Sequence, residues 1–217
     1  MTHSKLLDAD ITTNTNEPHT AAYCRVWFPE HLDTNKREQL RQTIKKSMSK
    51  NYNGWDDVYD QHFDGRSVWL ELVKGPGEKP LATCRIIFQK YESVAGPLPM
   101  EMGDRSAYAP KKGRRIVEGS GFWYARQIYG LVLLDHVMDF LLQHEVDIGY
   151  VLYDSCNEVT RSLYIDALAL IPVPDARVTF ESFTQRNGLP VDWHVAEGTA
   201  RNFAIAQQRL KTIIASM

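Results

Sequence analysis

The longest regular pattern of apolar residues in the chain lies between Gln127 and Glu145. Apolar side chains recur there every three or four residues, while acidic and amide side chains fall on the opposite side. The apolar positions are Ile128, Leu131, Leu134, Met138, Leu141 and Leu142, and the polar ones are Asp135, Asp139 and Gln143. This spacing predicts an amphipathic helix that packs on a sheet.

Shorter apolar runs predict the strands of that sheet. Ser67 to Val73 and Leu81 to Phe88 are joined by the turn-rich sequence KGPGEKP, which is typical of a hairpin. Arg115 to Tyr124 and the run DIGYVLYDS flank the long helix. The remaining predicted elements are a strand in AAYCRVWFP, a helix that begins at Asp33, strands in IPVPDARVTFESF and GLPVDWHVA, and a closing helix from Thr199 to Ile214.

Two connecting segments carry local signals of their own. Ser155-Cys156-Asn157-Glu158 has the spacing of a capping box, which predicts a helix from Ser155 through about Leu168. Val94 to Lys112 is rich in Pro and Gly and lacks clear periodicity. It is therefore predicted to be a long surface excursion and a candidate lid.

The order of these elements indicates one α/β domain with a mixed sheet, because strands in series are followed by alternating strands and helices. A chain of 217 residues with 43% hydrophobic content is long enough for one good core. The polar stretch 1–20 is predicted to be a flexible N-terminal segment, and 21–217 to be the folded domain.

Composition excludes several classes of function. Lys and Arg number 25 against 27 Asp and Glu, so the chain lacks the basic surface that a nucleic-acid partner needs. Cys24, Cys84 and Cys156 are far apart and odd in number, which argues against a disulfide framework and favours the reducing cytoplasm. The seven histidines lack metal-ligand spacing, and no apolar run approaches the ~20 residues that span a membrane. We therefore expect neither a metal site nor a membrane span.

The sequence Glu118-Gly119-Ser120-Gly121 places two glycines inside a predicted strand. Glycine in a strand marks a bulge, a bend, or a place where a ligand or another backbone comes close. A strand opened for access fits this segment, and so does a bend without a ligand.

A second glycine-containing segment, Gln127-Ile128-Tyr129-Gly130, follows at the start of the predicted long helix. A helix N-terminus presents unpaired backbone N–H groups and a positive dipole end, which suits phosphate groups. A glycine required for close helix packing would produce the same pattern.

These two segments resemble the GNAT superfamily of acyltransferases, whose pyrophosphate-binding pattern is Q/R-x-x-G-x-G/A. Here Val132 stands where the last small residue is usual. The resemblance implies a single-domain GNAT-like fold, with a mixed, mostly antiparallel, twisted sheet, a splayed pair of central strands, and helices on both faces. It also implies that an acyl thioester contacts the residues Gly119, Gly121, Gln127 and Gly130.

Within that superfamily the chain is most similar to the acyl-homoserine-lactone synthases and the N-acyl amino acid synthases, from about Trp55 to Val173. DDVYDQHFDGRSVWLEL resembles their D-x-x-D segment, LATCRIIF their G-x-A-R-L strand, and VEGSGF their E-x-[ST]-R-[FL] motif. LPMEMG and RSLYIDALALIPV resemble two further segments of the N-acyl amino acid synthases. Gly121 replaces the arginine of the third motif.

The resemblance implies a role for each matched residue. Glu118 would take the proton of an attacking amine, and Tyr164 would reprotonate the departing thiolate. The implied substrate-binding residues are Asp57, Asp60, Arg85, Ser120 and Phe122. Of these, the resemblance implies that the two aspartates and Arg85 form an ion-pair network that shapes the acceptor pocket.

Structural explanations stay open beside these roles. Glu118 could instead form an ion pair with Arg85 or Arg115, and Tyr164 could be a packed helix residue. The four aromatic residues Trp69, Phe88, Phe122 and Trp123 could line an acyl channel or belong to the core, and we expect two of them in the core.

The sequence therefore predicts an N-acyltransferase that moves a fatty acyl group from an acyl-carrier-protein or acyl-CoA thioester to the amine of a small amino-acid-like acceptor. The thioester is a co-substrate, and no tightly bound cofactor is expected. Two alternatives remain, which are an acyl-homoserine-lactone synthase that uses S-adenosylmethionine and a non-catalytic relative that binds an acyl chain or a carrier protein.

Overall fold

The structure of the chain, a computed structural model, describes residues 22–54, 60–105, 115–181 and 183–217. Asp57 and the predicted flexible segment 1–20 lie outside these residues. The described strands are β1 (Tyr23–Trp27), β2 (Ser67–Val73), β3 (Ala82–Phe88), β4 (Lys90–Tyr91), β5 (Val94–Ala95), β6 (Asp104–Arg105), β7 (Ile116–Tyr124), β8 (Ile148–Asp154), β9 (Ile171–Thr179), β10 (Gln185–Arg186), β11 (Leu189–Pro190) and β12 (Trp193–Thr199).

The described residues include the α-helices α1 (Thr34–Asn51), α2 (Pro99–Met102), α3 (Gln127–Gln143), α4 (Glu158–Arg161) and α5 (Ala200–Ala215), and short 3₁₀ helices at Pro29–His31 and Asp64–Arg66. Helix α1 begins where the sequence predicts, because the Asp33 side chain accepts a hydrogen bond from the Lys36 N–H at 2.8 Å. Helix α4 continues as a π-helical segment over Ser162–Ala167. The capping-box prediction at Ser155 is wrong, since Asn157 is the N-cap and accepts from the Val159 N–H at 3.2 Å.

The main sheet has eight strands in the order β1-β2-β3-β7-β8-β12-β9-β6. Strands β7 and β8 run parallel, and the other neighbouring pairs of this sheet are antiparallel. Apolar residues of α3 and α5 form one core with one face of the sheet, and α1 packs on the opposite face. The predicted mixed, mostly antiparallel sheet with helices on both faces is confirmed.

The segment that follows β3 differs from the sequence-based expectation. Residues 94–105 form strands β5 and β6 and helix α2, and both Leu98 and Met100 are fully buried. The prediction of a long surface excursion is therefore wrong for this part, because two apolar residues anchor it to the core. The rest of the predicted excursion lies outside the described residues.

The central parallel pair is splayed. Strand β7 pairs with β8 from Ile116↔Ile148 to Gly119↔Val151, and the pairing of the two strands ends there in the described residues. On its other side β7 stays paired with β3 as far as Tyr124. The two central strands therefore pair only along the beginning of β7, and a gap opens between them beyond Gly119.

A bulge at Gly121 reverses the faces of the second half of β7. Ser120 pairs with Arg85 and Trp123 with Thr83, so two residues of β7 oppose one of β3. Gly121 has φ of +58°, the left-handed conformation that favours glycine. Because of the extra residue, Phe122 packs on the same side of the sheet as Val117, where α3 lies.

We predict that Gly121→Ala destabilises the protein by about 2 kcal/mol in urea unfolding. An added Cβ would lie 2.5 Å from Ile44 Cδ1, and alanine is strained at this φ. In an Ile44→Val background the steric part is removed, so the cost falls to about 1 kcal/mol. Gly75→Ala, which has ordinary backbone geometry and a flexible neighbour, serves as the control and changes stability by less than about 0.5 kcal/mol. Equal costs for the two alanine variants would contradict the bulge argument.

Candidate active site

Two cavities adjoin at the gap between β7 and β8. The larger has a volume of about 650 Å³ and lies beneath the C-terminal half of α1, and the smaller has a volume of about 430 Å³ and lies beside the first turn of α3. Both are lined by Phe122, Tyr124, Val159 and Leu163. The splay therefore joins a cavity on one face of the sheet to a cavity on the other.

Glu118 lines the larger cavity and is 2% exposed. Its Oε2 accepts a hydrogen bond from the Met100 N–H at 2.9 Å. Burial raises the pKa of Glu118 to about 8, although the Met100 hydrogen bond and the charge of Arg85 oppose the shift. A carboxyl group with this pKa is a suitable proton acceptor for an amine near neutral pH.

Both arginines considered as ion-pair partners of Glu118 bind other groups. Arg85 Nη2 donates to Asp60 Oδ1 at 2.5 Å, and Arg115 Nη1 donates to the His144 carbonyl at 2.5 Å. The structural explanation of Glu118 through either arginine is therefore not supported, and the carboxyl group stays directed to the Met100 backbone.

Asp60 and Arg85 form a buried ion pair in the wall of the larger cavity. Arg85 lies over the Trp69 ring at 5.2 Å, and the opposite oxygen of Asp60 lies 3.5 Å from Arg41 Nε of helix α1. Within the described part of the chain, Arg85 Nε and Nη1 have no hydrogen-bond partner. Arg85 thus has two N–H donor atoms unused by the described residues, at a buried place in the site. Asp57, the third residue of the predicted network, lies outside the described residues.

Of the other predicted substrate-binding residues, Ser120 and Phe122 both line the larger cavity. Ser120 is on the Glu118 side of the sheet, and Phe122 lies at the junction of the two cavities. Among the four aromatic candidates, Phe122 and Trp123 line the larger cavity, whereas Trp69 and Phe88 belong to the buried core. The expectation that two of the four are core residues is confirmed.

Tyr164 also lines the larger cavity, from the π-helical segment that follows α4. Segments of this kind occur often at functional sites, because the extra residue in the turn redirects a side chain. Burial raises the pKa of Tyr164, so its phenol stays protonated at neutral pH.

Gln127 and Gly130 lie on the smaller cavity, at the N-terminal turn of α3. The N-cap residue, Arg126, makes no side-chain cap hydrogen bond, and its carbonyl accepts from the N–H groups of Tyr129 and Gly130. The N–H groups of Gln127 and Ile128, at the start of this 17-residue helix, therefore receive no side-chain cap. A Cβ on Gly130 would lie 2.9 Å from Tyr124 Cδ1, so close packing is sufficient to explain this glycine. Gly119 and Gly121 lie in the wall of the larger cavity.

Sequence reasoning missed the far end of the larger cavity. This end is lined by Tyr52, Asp154, Asn157, Arg186 and Trp193. Tyr52 stacks on Trp193 at 5.5 Å, and Asn53 ties α1 to the β10–β11 hairpin by donating to the Gln185 carbonyl at 3.1 Å. These residues belong to elements far apart in sequence, so no local motif connects them.

The cysteines are poor candidates for a covalent intermediate. Burial raises the pKa of both Cys24 and Cys84 to about 12, which keeps these thiols protonated and weakly nucleophilic. Cys156 is exposed and lies outside the lining of both cavities. Among the described residues, neither cavity is therefore lined by an activated cysteine.

Metal-binding clusters and membrane-spanning helices are both absent from the described residues. These residues contain no group of three His, Cys, Asp or Glu side chains placed to hold a metal ion. None of their helices combines the length and the apolar composition needed to cross a bilayer.

No family model and no curated protein sequence matches the chain. Its fold matches solved structures, among them FeeM, an N-acyl amino acid synthase from uncultured soil microbes, with a TM-score of 0.60 and 13% identity over 88% of this chain and 97% of that one. An N-acetyltransferase from Staphylococcus aureus Mu50 matches with a TM-score of 0.54 and 9% identity over 82% and 98%. MesI, a CoA-dependent acyl-homoserine lactone synthase, matches with a TM-score of 0.53 and 10% identity over 88% and 95%.

These neighbours come from the groups that the sequence motifs resemble, and the chain has the single-domain GNAT-like fold that the motifs predict. Because the sequence identities are low, these matches establish the fold alone.

We predict that Glu118→Gln changes how the stability of the protein depends on pH. The folded pKa of about 8 exceeds the ordinary value of 4.5, so the native protein binds this proton more tightly than the unfolded chain does. The stability from this group is therefore complete below pH 4.5 and is lost as the pH rises to about 8. The glutamine variant has no such loss. Its free energy of unfolding in urea should therefore rise relative to that of the wild type across this pH range. A constant difference between the two proteins from pH 4.5 to 8 would contradict the assignment.

Proposed function

We propose that this protein is a thioester-dependent N-acyltransferase that joins a fatty acyl group to the amine of a small amino-acid-like acceptor. The observation that carries the proposal is the splay of β7 from β8, which joins two cavities across the sheet. One cavity adjoins an uncapped helix N-terminus, and the other contains a buried carboxyl group of raised pKa. Such a passage suits a reaction in which donor and acceptor approach from opposite faces.

In this proposal the donor enters through the smaller cavity. The first turn of α3 would face the phosphate of the pantetheine arm, since helix N-termini favour anions. The arm would then lie along the unpaired edge of β7 beyond Gly119, where backbone groups are free to bind its amides. Phe122 and Leu163, which line both cavities, would contact it at the crossing.

The reaction forms one C–N bond and breaks one C–S bond. The amine nitrogen attacks the thioester carbonyl carbon as Glu118 takes the amine proton, and the developing oxyanion is stabilised by backbone N–H groups near the Gly121 bulge. The tetrahedral intermediate expels the thiolate, which Tyr164 protonates to a thiol. Tyr164 regains its proton from water and Glu118 releases its proton to water, which restores the enzyme.

The position and unpaired donors of Arg85 favour an acceptor substrate that carries a carboxylate. Its guanidinium group uses Nη2 for Asp60 and keeps Nε and Nη1 without partners in the described residues. Arg85 faces Ser120 across the β3–β7 register, and Glu118 lies two residues away on the same face of β7. An α-amino acid places its carboxylate and amine close together, which matches an arginine and a proton acceptor at neighbouring positions.

The names of the neighbours support the proposal at the level of chemistry. FeeM is an N-acyl amino acid synthase, and MesI is a CoA-dependent acyl-homoserine lactone synthase. Both acyl-carrier-protein and CoA thioesters are donors to test here, because Val132 in the α3 turn departs from the small residue usual for pyrophosphate binding. We place the reaction in the cytoplasm, in keeping with three free cysteines.

We predict that Glu118→Gln lowers kcat/KM at pH 8 by at least about 100-fold, because it removes the proton acceptor and keeps the shape of the side chain. Wild-type kcat/KM should rise with pH and level off above about 8, the pKa of the ionising group. The assay is thiol release with mass analysis of the amide, with long-chain acyl-carrier-protein and acyl-CoA donors and a pool of amino acids, polyamines and S-adenosylmethionine.

Glu145→Gln, exposed just beyond the far end of α3, is the matched control and should retain wild-type rates. A lactone product that depends on S-adenosylmethionine would favour the signal-synthase alternative. Tight binding of the acyl donor without thiol release for any amine would favour the non-catalytic alternative and overturn the proposal.

We predict that Arg85→Lys raises KM for the amino acid acceptor about tenfold and leaves KM for the donor unchanged. Lysine keeps the charge but loses the planar fork that binds a carboxylate at two points. The measurement compares an amino acid with the amine formed by its decarboxylation. The variant should lose most of the preference for the amino acid, whereas an equal loss for both amines would show that Arg85 does not bind the carboxylate.

A further inference from the structure

Arg66 is a buried arginine whose hydrogen bonds go to backbone carbonyls. It is 3% exposed, and its Nη1 donates to the carbonyls of Phe88 at 2.6 Å and Gly96 at 2.9 Å. Its Nη2 donates to the Pro97 carbonyl at 2.7 Å. One side chain therefore fixes the end of β3 to the segment that leads into helix α2.

That segment ends at the hydrogen-bond donor of Glu118. Leu98 is fully buried, and its N–H donates to Glu101 Oε2 at 2.8 Å, which closes the first turn of α2. Met100 is also buried, and its N–H donates to Glu118 Oε2 at 2.9 Å. The Pro97 carbonyl held by Arg66 is thus separated by a single turn of backbone from the Met100 N–H held by Glu118.

We propose that Arg66 is a positioning residue for Glu118, and that it acts through the backbone of residues 96–100. The inference rests on the proposed function, in which Glu118 is the proton acceptor. Arg66 lies outside the lining of both cavities, so its role would be to hold the Met100 N–H at the carboxyl group. Substrate contact is not part of that role.

The charged and titratable groups around Glu118 come from three elements. Arg85 faces it from β3, Glu101 from α2, and Tyr150 is its register partner on β8. The charge of Arg85 lowers the pKa of Glu118 and that of Glu101 raises it. The charge of Arg66 acts on Glu101, so Arg66→Met changes the field near Glu118 as well as the hold on Met100. Gly96→Ala keeps that charge, so its effect on the titration of Glu118 reports on the Met100 hydrogen bond.

The direction of the effect follows from the donor. A hydrogen bond from a backbone N–H stabilises the ionised carboxylate and lowers its pKa. Release of the Met100 N–H therefore raises the pKa of Glu118 further. A hydrogen bond to a charged group contributes enough to move a pKa by about one unit.

The experiment is the pH profile of kcat/KM for Arg66→Met. We expect the midpoint of the rise to move up by about one pH unit, with about a tenfold lower rate at pH 7 and a plateau within about threefold of the wild type. Arg25→Met is the matched control, since Arg25 also donates to a carbonyl, that of Gly75 at 3.0 Å, on the edge strand β1. An unchanged midpoint with rates lowered equally at every pH would show a purely structural role and overturn the inference.

A second variant keeps the test available if Arg66→Met fails to fold. A Cβ on Gly96 would lie 3.0 Å from Arg66 Nη2, so Gly96→Ala displaces the guanidinium by a few tenths of an ångström. It should move the midpoint in the same direction by a smaller amount. No movement with Gly96→Ala, in a folded protein that has lost no plateau rate, would also overturn the inference.

A readout independent of turnover separates this inference from the proposed function. The pH dependence of the stability difference between the wild type and Glu118→Gln reports the pKa of Glu118, and it is measured with and without Arg66→Met. A shift there in a protein without transferase activity would support the positioning and reject the proposed function. An active wild type whose Glu118 pKa is unmoved by Arg66→Met would reject the positioning alone.

Discussion

The left-handed backbone conformation at Gly121 determines how the site is built. It allows one extra residue in β7 opposite β3. Because of this residue, the later side chains of β7 lie on the opposite faces of the sheet from those that an uninterrupted strand would give them. Glu118 and Ser120 therefore face α1, whereas Phe122 faces α3 on the other side of the sheet. An uninterrupted strand would place all three side chains on one face, and the two cavities would not share a wall.

The α1 face of the sheet is unusually polar for a buried surface. Asp60, Glu71, Arg85 and Glu118 are each no more than 4% exposed. Burying charged groups costs desolvation free energy, and helix α1 offsets part of it. Lys36 Nζ donates to Glu71 at 2.7 Å, and Arg41 pairs with Asp60 and Asp64. Glu118 lies at the edge of this network and has no ionic partner of its own among the described residues. Burial is the main cause of its raised pKa, and the nearby charge of Arg85 only partly opposes the shift.

The sequence predicted most elements because their signals are local. The start of α1 at Asp33, the start of α3 at Gln127 and the strands Ser67–Val73 and Ile171–Thr179 follow from caps and periodicity. The predicted helix cap after β8 was wrong because Ser155 and Asn157 are both residue types that cap helices well. The Ser155 hydroxyl donates a hydrogen bond to Asp192 instead. The Asp60–Arg85 pair was anticipated through resemblance, whereas Tyr52, Trp193 and Arg66 act through contacts between distant segments that no short window of sequence shows.

The short pairing of β7 with β8 divides the main sheet into two halves, β1-β2-β3-β7 and β8-β12-β9-β6. The register connects these halves directly through four residue pairs, Ile116↔Ile148 to Gly119↔Val151. Any molecule held in the gap touches both halves and adds contacts that the empty sheet lacks. Occupancy is therefore linked to folding by mass action, and the loaded protein is held together more strongly than the empty one. This short central pairing is in this way a place where substrate binding would increase the cooperativity of the whole domain.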